Sequence, residues 1–513
     1  MDQVPNSTNQ RGSFGSNIGF LLSAIGSAVG LGNIWGFPFK MGKSGGFTFL
    51  LVYLFLAIFV GLIIMCAELA LGRKTRKAPI AAYQAVTKKF KWLGWLAVLS
   101  PFLIMTFYSV LGGYCIYYII INLIGIFGGM PEGMSSFVNM ITSIPISIGI
   151  LLAFMVICFF IVAGGVDSGI EKFNKIGMPA LFVMLVIIII RSLTLPNAVE
   201  GLKFMFIPGY AVAGGFIDEA PNLITVLGTA GGQMFFSLSL AMGAMITYGS
   251  YLGKEENLVK NSGIIVFADT LVALLAGIAV IPAAVANGIN NGIPVNEISL
   301  GGPKLLFVTL QDVFHNMGAL GGVFGVIFYI LVLIAAISSA ISLMEVLSAH
   351  FIDKAAEQGK TVSRKKVVMI VSVVITAIAL LVAADGLGSN GFSPAEIFGS
   401  AKVLDWNDCW LDFFDCWSEG IMMPLGAMLM AVMIGWEIGP QLTLDEVAHG
   451  DPSEAFKKFF TFCIKFVVPV VMAFVLAGQM IGFFGGHDVL FYILSAVILA
   501  VFWVFAAMGK KEA

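Results

Sequence analysis

Long apolar blocks separated by short polar stretches make up the chain from residue 17 onward. A helix that crosses the hydrocarbon core needs roughly 20 consecutive, mostly apolar residues. About twelve segments meet that test, at 17–38, 47–71, 93–126, 144–163, 173–193, 223–251, 261–285, 320–349, 367–385, 413–437, 459–484 and 488–508. The pattern therefore predicts an all-α integral membrane protein. Lys and Arg test the count, because they collect in every second loop of a correctly assigned chain. Of the 28 basic residues, 22 fall on one side: Arg11, the runs 73–91, 172–175, 254–260, 354–366 and 457–465, and Lys510 with Lys511. The other six (Lys40, Lys43, Arg191, Lys203, Lys304 and Lys402) fall on the opposite side. An even number of spans with both termini cytoplasmic follows.

Composition agrees, with 59% hydrophobic residues, 11% charged and a mean hydropathy of +0.97, far outside the soluble range. A net charge of −2 points to no nucleic-acid partner, and residues 1–16 are too polar for a cleavable signal peptide. The six cysteines form no disulfide framework, and Cys409 and Cys416 stand seven apart, too far along a helix to bridge.

Ionisable groups at membrane depth are expensive and mark pathways or sites. The candidates are Glu68 in MCAELALGR, Asp269 in IVFADTLVALL and Glu345 in SLMEVLSAH. Glu68 and Glu345 lie near span ends, where a carboxylate capping backbone amides competes evenly with a functional role. Asp269 sits about two turns inside its span with no basic neighbour in sequence, which points to a buried cation as its partner.

The first span is interrupted. SAIGSAVGLGNIWGFPF (residues 23–39) holds four glycines, Asn33 and Pro38. Gly26 and Gly30 alone suit close helix packing. Gly30 and Gly32 beside Asn33, with Pro38 closing the segment, suit an unwound turn whose backbone groups face a cavity. Transporters built from inverted repeats carry such breaks at matching places in both halves. The sixth span has one, where Ser237, Ser239 and Gly243 interrupt GGQMFFSLSLAMGAMITYGSY. AAISSAIS (335–342) adds Ser338 and Ser339, which either back-bond to the preceding turn or face the first break.

At these residues the chain resembles the neurotransmitter:sodium symporters, and their bacterial amino-acid transporters in particular. The likeness runs through AVGLGNIWGFPF, GGFTFLLVY, CAELALGR, IEKFNKIGMPALF, GQMFFSLSLAMGAMITYGSY, IPAAVA, GPKLLFVTL and AAISSAISLMEVLSAHFID, in order along the chain. It implies two inverted five-helix repeats with broken helices 1 and 6. A cytoplasmic segment (1–16) would precede the first repeat (17–193), and the second repeat with external loops (194–437) would lead to helices 11 and 12 with a short tail (438–513).

The resemblance also implies two sodium sites and no organic cofactor. One sodium would take the carbonyls of Gly26, Val29 and Ala335 and the hydroxyls of Ser338 and Ser339, hard oxygen ligands for a hard cation. The other would take the Ala28 carbonyl, Asn33, Ser237, Asp269 and the substrate carboxylate. The family's best-known bacterial members have Asn at the Asp269 position and compensate the charge with chloride or a nearby acid. Here Asp269 itself is acidic, which implies chloride-independent transport and a route for a counter-moving proton. Gln233, Tyr53 and Ser237 match chloride-site positions, but Ala273 offers no hydroxyl.

The substrate carboxylate would meet the amides of Leu31 and Gly32, at the positive start of a half-helix, and the phenol of Tyr108. Its ammonium would face carbonyls around Ser27, Phe236 and Ser237. Ser27, Ile104, Phe236, Ser239, Met242, Ser339 and Leu343 would line the side-chain pocket, an uncharged set suited to a neutral, apolar or aromatic amino acid. Arg11 and Asp353 resemble a cytoplasmic gate, beside Phe14, Ser250 and Tyr251. Outside, Gly36 stands where the family has an arginine, with Asp415 at the acidic position. Either Lys40, one turn further out, replaces that arginine or Phe236 and Tyr108 form the only external lid.

The expectation is a sodium-coupled importer of a neutral amino acid in the plasma membrane, whose partners are that small molecule and the lipid bilayer, with room for a homo-oligomer. A receptor or a channel on the same fold is the alternative. Polar residues clustered at one depth argue against a channel, and short tails and loops against a sensor. An enzyme is not expected, since His315, His350, His449 and His487 lie at span ends or in loops without metal spacing.

Overall fold

A computed structural model describes residues 13–484 apart from 299, 301, 400–406 and 451, together with scattered positions between 493 and 504. Every regular element among these residues is helical. The first span is two helices, α1 (Asn17–Ala28) and α2 (Gly32–Lys43), bent by 46° at the break between them. Then come α3 (Phe47–Thr75), α4 (Leu93–Gly128), α5 (Ile144–Ala163) and α6 (Val166–Leu193). The sixth span is α7 (Leu223–Ser237) and α8 (Ala244–Gly249). It is followed by α9 (Leu258–Asn290), α10 (Leu320–Glu357), α11 (Arg364–Asp385), α12 (Trp410–Glu437) and α13 (Glu454–Phe484).

Nine of these helices are long and apolar enough to cross a membrane unbroken among the described residues, and the bent α1/α2 pair makes a tenth. The interrupted α7/α8 pair is not among these, because the break between its two short pieces, at 238–243, is longer than that between α1 and α2. The predicted last span, 488–508, lies largely outside the described residues, so the expected total of twelve is not reached by counting. The six cysteines are all free and buried, as their spacing suggested.

Both breaks have local causes. Ser16 starts α1 by accepting the Gly19 amide at 3.0 Å, satisfying one of the donors a helix start leaves open. Val29 leaves the helix with ψ 97°, and the chain resumes in a wide turn over Gly32–Gly36. In the second break Ser239 (φ 52°), Ala241 (φ 59°) and Gly243 (φ 73°) adopt left-handed backbone. For Ser and Ala that costs about 1–2 kcal/mol each, so neighbours must hold the turn. Two contacts do so: the Ala241 amide donates to Glu68 Oε1 at 2.7 Å, and the Ser239 hydroxyl donates to the Ser27 carbonyl at 2.8 Å. The first ties the sixth span to α3, the second to the first break.

Glu68 is thus a buried cap for an unwound amide. Glu345 is instead part of an ion pair: it accepts from the Tyr251 hydroxyl at 2.7 Å and pairs with Arg364, which reaches in from the start of α11. A loop separates these partners in sequence, which hides the pairing from local inspection.

Candidate functional site

The two breaks face each other, and α10 and α9 complete the walls. Where α1 ends, carbonyls that have left the helix ladder point at the serines of α10. Ser338 Oγ donates to the Ala335 carbonyl at 2.9 Å and lies 3.3 Å from that of Val29. Ser339 Oγ donates to the Ser27 carbonyl at 3.0 Å and lies 3.5 Å from that of Gly26. All these residues are buried. The carbonyls of Gly26, Val29 and Ala335 and both hydroxyls, the set implied by the family resemblance, lie together here. Ser342 was not anticipated: it accepts from the Ser27 hydroxyl at 2.8 Å and donates to the Ser339 carbonyl at 2.7 Å. Its spacing of four from Ser338 held that signal.

A second polar cluster lies around Asp269 on α9. Its carboxylate accepts from Asn33 Nδ2 at 2.7 Å, from the Ser237 hydroxyl at 2.9 Å and from the Tyr53 hydroxyl at 3.3 Å. The group is fully buried, and its partners are neutral donors, not a basic side chain. Each stabilises the anion in a medium that would otherwise disfavour it. Asn33 Oδ1 accepts the Gly30 amide at 3.0 Å, closing the unwound turn on itself. Gln233 donates to the Gly32 carbonyl at 2.7 Å, and its Oε1 lies 2.7 Å from where a Cβ on Gly36 would stand. The space that an arginine at position 36 would claim is filled by Gln233.

Between the clusters lies a small cavity lined by Ala28, Gly30, Gly32, Ile104, Tyr108, Phe236, Ser239, Met242, Ser339 and Leu343. Of the eleven residues predicted to meet a substrate, eight line it. The other three adjoin it: Leu31 through its amide, which donates to the Tyr108 hydroxyl at 3.0 Å, Ser27 through its carbonyl, and Ser237 through Asp269. The Tyr108 and Phe236 rings stand 6.3 Å apart. Gly30 is required here by proximity, since a Cβ would lie 2.2 Å from Ser339 Oγ and 2.7 Å from the Tyr108 hydroxyl.

At the mouth beside α2, Lys40 pairs with Glu419 on α12. The sequence reading set Lys40 against Asp415, one turn earlier, and the structure moves the ion pair to Glu419 with Asp415 beside it. Residues four apart share a helix face, so only the crossing of α12 with α2 decides between them. At the other end Phe14 packs edge-on against Phe20, Tyr248 and Tyr251. Ser250 donates to the Thr247 carbonyl at 2.6 Å, and Asp353 accepts the Ala78 amide at 2.8 Å. Arg11, its predicted partner, lies outside the described residues.

Comparison with known proteins matches this arrangement. The model of the sodium:neurotransmitter symporter family covers residues 11–126 and 140–509. A sodium-dependent transporter of Bacillus subtilis, YhdH, is 32% identical over 90% of this chain and 96% of its own length. A sodium-dependent transporter of Methanocaldococcus jannaschii is 29% identical over 98% of both. Among solved structures, MhsT in complex with L-phenylalanine superposes with a TM-score of 0.78 at 34% identity, covering 91% of this chain and all of that one. Broken first and sixth spans, a polar cluster at each break and family likeness along nearly the whole chain lead to one assignment: this multi-pass membrane protein belongs to the sodium:neurotransmitter symporter family, whose members are transporters and not enzymes.

Proposed function

We propose that the protein imports a neutral, apolar or aromatic amino acid together with sodium, by alternating access across the plasma membrane with both termini in the cytoplasm. The observation that carries this reading is the meeting of the two helix breaks. Freed carbonyls of α1 and hydroxyls of α10 gather on one side of the cavity, a carboxylate with its donors on the other, and apolar side chains between. The first cluster suits one sodium, held by Gly26, Val29, Ala335, Ser338 and Ser339. The second suits another, held by Ala28, Asn33, Ser237 and Asp269 and completed by the carboxylate of the substrate. A ligand shared between ion and substrate makes each raise the affinity of the other, as linkage requires.

The lining supports the substrate class. Ile104, Phe236, Met242 and Leu343 offer apolar surface, and among the described residues no charged side chain lines the cavity to match a charged substrate side chain. The phenylalanine bound to MhsT supports an aromatic or large apolar cargo. Asp269 supports independence from chloride, since the second site carries its own negative charge. Uptake of a panel of radiolabelled amino acids into proteoliposomes, with sodium, chloride and pH varied separately, tests the reading. Accumulation of neutral amino acids only under an inward sodium gradient is expected, whether or not chloride is present.

Two further outcomes follow. Tyr108→Phe removes the hydroxyl that accepts the Leu31 amide and would steady the substrate carboxylate, and loss of one such bond weakens binding about tenfold. Isothermal titration with saturating sodium reads that change, and unaltered affinity would remove Tyr108 from the carboxylate site. Lys40→Met breaks the ion pair with Glu419 at the outer mouth. It should speed escape of bound amino acid to the outside several-fold, and because Glu419 is buried and loses its cation it should also lower stability by about 3 kcal/mol, a cost that Lys40→Met with Glu419→Gln, where neither charge remains, should partly recover. Dissociation followed by dilution of labelled substrate checks this.

A further inference from the structure

Where α12 ends and α13 begins, on the side assigned above as cytoplasmic, the two helices part around a groove of about 860 Å³, within the size range of ligand sites. Each helix carries a wide turn at this level, over Met433–Glu437 in α12 and Cys463–Val467 in α13, and such turns inside helices gather at functional places. Gly435 lets the backbones approach, since a Cβ there would stand 3.2 Å from the Ile464 carbonyl. Beside it the Trp436 indole donates to the Lys465 carbonyl at 3.1 Å, which fixes the ring as one wall of the groove.

The other wall is basic. Lys457, Lys458 and Lys465 line it from α13. Lys457 pairs with Glu454 at 2.6 Å. Lys458 and Lys465 have no carboxylate partner among the described residues, and Glu437, the second acid of the lining, is engaged by the Thr87 hydroxyl at 2.8 Å. Lys465 lies two helical turns, about 10 Å, beyond Lys458, with its ammonium 5.7 Å from the centre of the Trp436 ring. A lysine that far into a span needs a partner or a route to the interface, and the face of one ring supplies only part of what a desolvated ammonium has lost.

The groove also has an apolar track. Phe462 and Phe466, one and two turns past Lys458, line it and are 58% and 40% exposed, which on a membrane span means contact with acyl chains. A soluble anion would use the ammonium groups alone. A lipid uses the ammonium groups, the phenylalanines beneath them and the indole, a side chain typical of the head-group level. Basic pockets between spans on the cytoplasmic side take anionic head groups for this reason.

We propose that the groove between α12 and α13 binds an anionic phospholipid of the inner leaflet, its phosphate between Lys458 and Lys465 and an acyl chain along Phe462 and Phe466. The site shares no residue with the sodium and amino-acid sites, so it stands or falls independently of the transport reading.

Full-length protein in a mild detergent, titrated with dioleoylphosphatidylglycerol or dioleoylphosphatidylcholine and read by native mass spectrometry, tests this. Each lysine facing an anionic lipid is worth about fivefold in affinity, so the wild type should hold phosphatidylglycerol about 25-fold more tightly than phosphatidylcholine. Lys458→Gln with Lys465→Gln should erase the preference, and Lys458→Arg with Lys465→Arg should keep it. Lys365→Gln with Lys366→Gln removes two exposed lysines outside the groove on the same side and should leave the preference unchanged. Equal affinity of the wild type for the two lipids overturns the proposal. So does a preference that survives Lys458→Gln with Lys465→Gln, or one that falls as far with the Lys365 and Lys366 changes, which would mark a general attraction of the basic face. Displacement of phosphatidylglycerol by millimolar inorganic phosphate also overturns it, because the groove would then be a site for a soluble anion.

Discussion

Replacing Asp269 with Ala should abolish sodium-driven accumulation. The change removes the only side-chain charge among the groups assigned to the second site and strands the donors from Asn33, Ser237 and Tyr53 that now converge on it. Each buried donor left without a partner costs about 1–3 kcal/mol, and a site that loses its anion should bind at least about a hundredfold more weakly, or about 2.7 kcal/mol. Asp269→Asn separates charge from geometry, because the amide fills the same space and keeps most of the hydrogen bonds. That variant should transport only when chloride is supplied, whereas wild-type uptake should be the same in chloride and in gluconate. Uptake that already fails in gluconate with Asp269 intact would refute the charge argument.

The largest effect on stability should come from Arg73→Met. Arg73 is buried at the end of α3. Its Nε donates to Glu446 Oε2 at 2.9 Å, Nη1 to the Glu256 carbonyl at 2.7 Å and Nη2 to the Glu446 carbonyl. One side chain thus joins α3, the loop after α8 and a short helix, Gln441–Ala448, that follows α12. Removing one partner of a buried ion pair costs about 3–5 kcal/mol, because the charge left behind cannot be hydrated. Lys74, 3.9 Å from Glu446 Oε1 and half exposed, offsets only part of that. The six buried cysteines give a direct readout, since a thiol-reactive fluorophore reports unfolding as they become exposed. A clear drop in melting temperature is expected, partly recovered in Arg73→Met with Glu446→Gln, where neither charge remains. An unchanged melting curve would show that the network contributes little.

What the sequence disclosed divides along physical lines. Both helix breaks were legible, because glycine, asparagine and serine inside an apolar run are a local signal, and the backbone leaves the helix at 29–31 and 238–243. Ser338 and Ser339 were legible as candidates: their residue types left back-bonding and facing the first break both open, the resemblance grouped them with Gly26 and Val29, and the approach of α10 to α1 shows the contact. Asp269 stood out by its charge. The three neutral donors that hold it come from elements up to 236 residues away, beyond any local pattern. Glu419 was missed because Asp415 and Glu419 share one face of α12, and only the packing of α2 shows which one Lys40 reaches.

The central claim is that ion and amino acid occupy one site complex between the two breaks, so that each raises the affinity of the other. Equilibrium binding of a labelled neutral amino acid to the purified protein, titrated across sodium concentration with choline as the replacement cation, tests it most directly. The account predicts that affinity climbs steeply with sodium and collapses in choline, and that Ser339→Ala and Asp269→Ala each flatten the dependence. Equal affinity for the amino acid with and without sodium would contradict it.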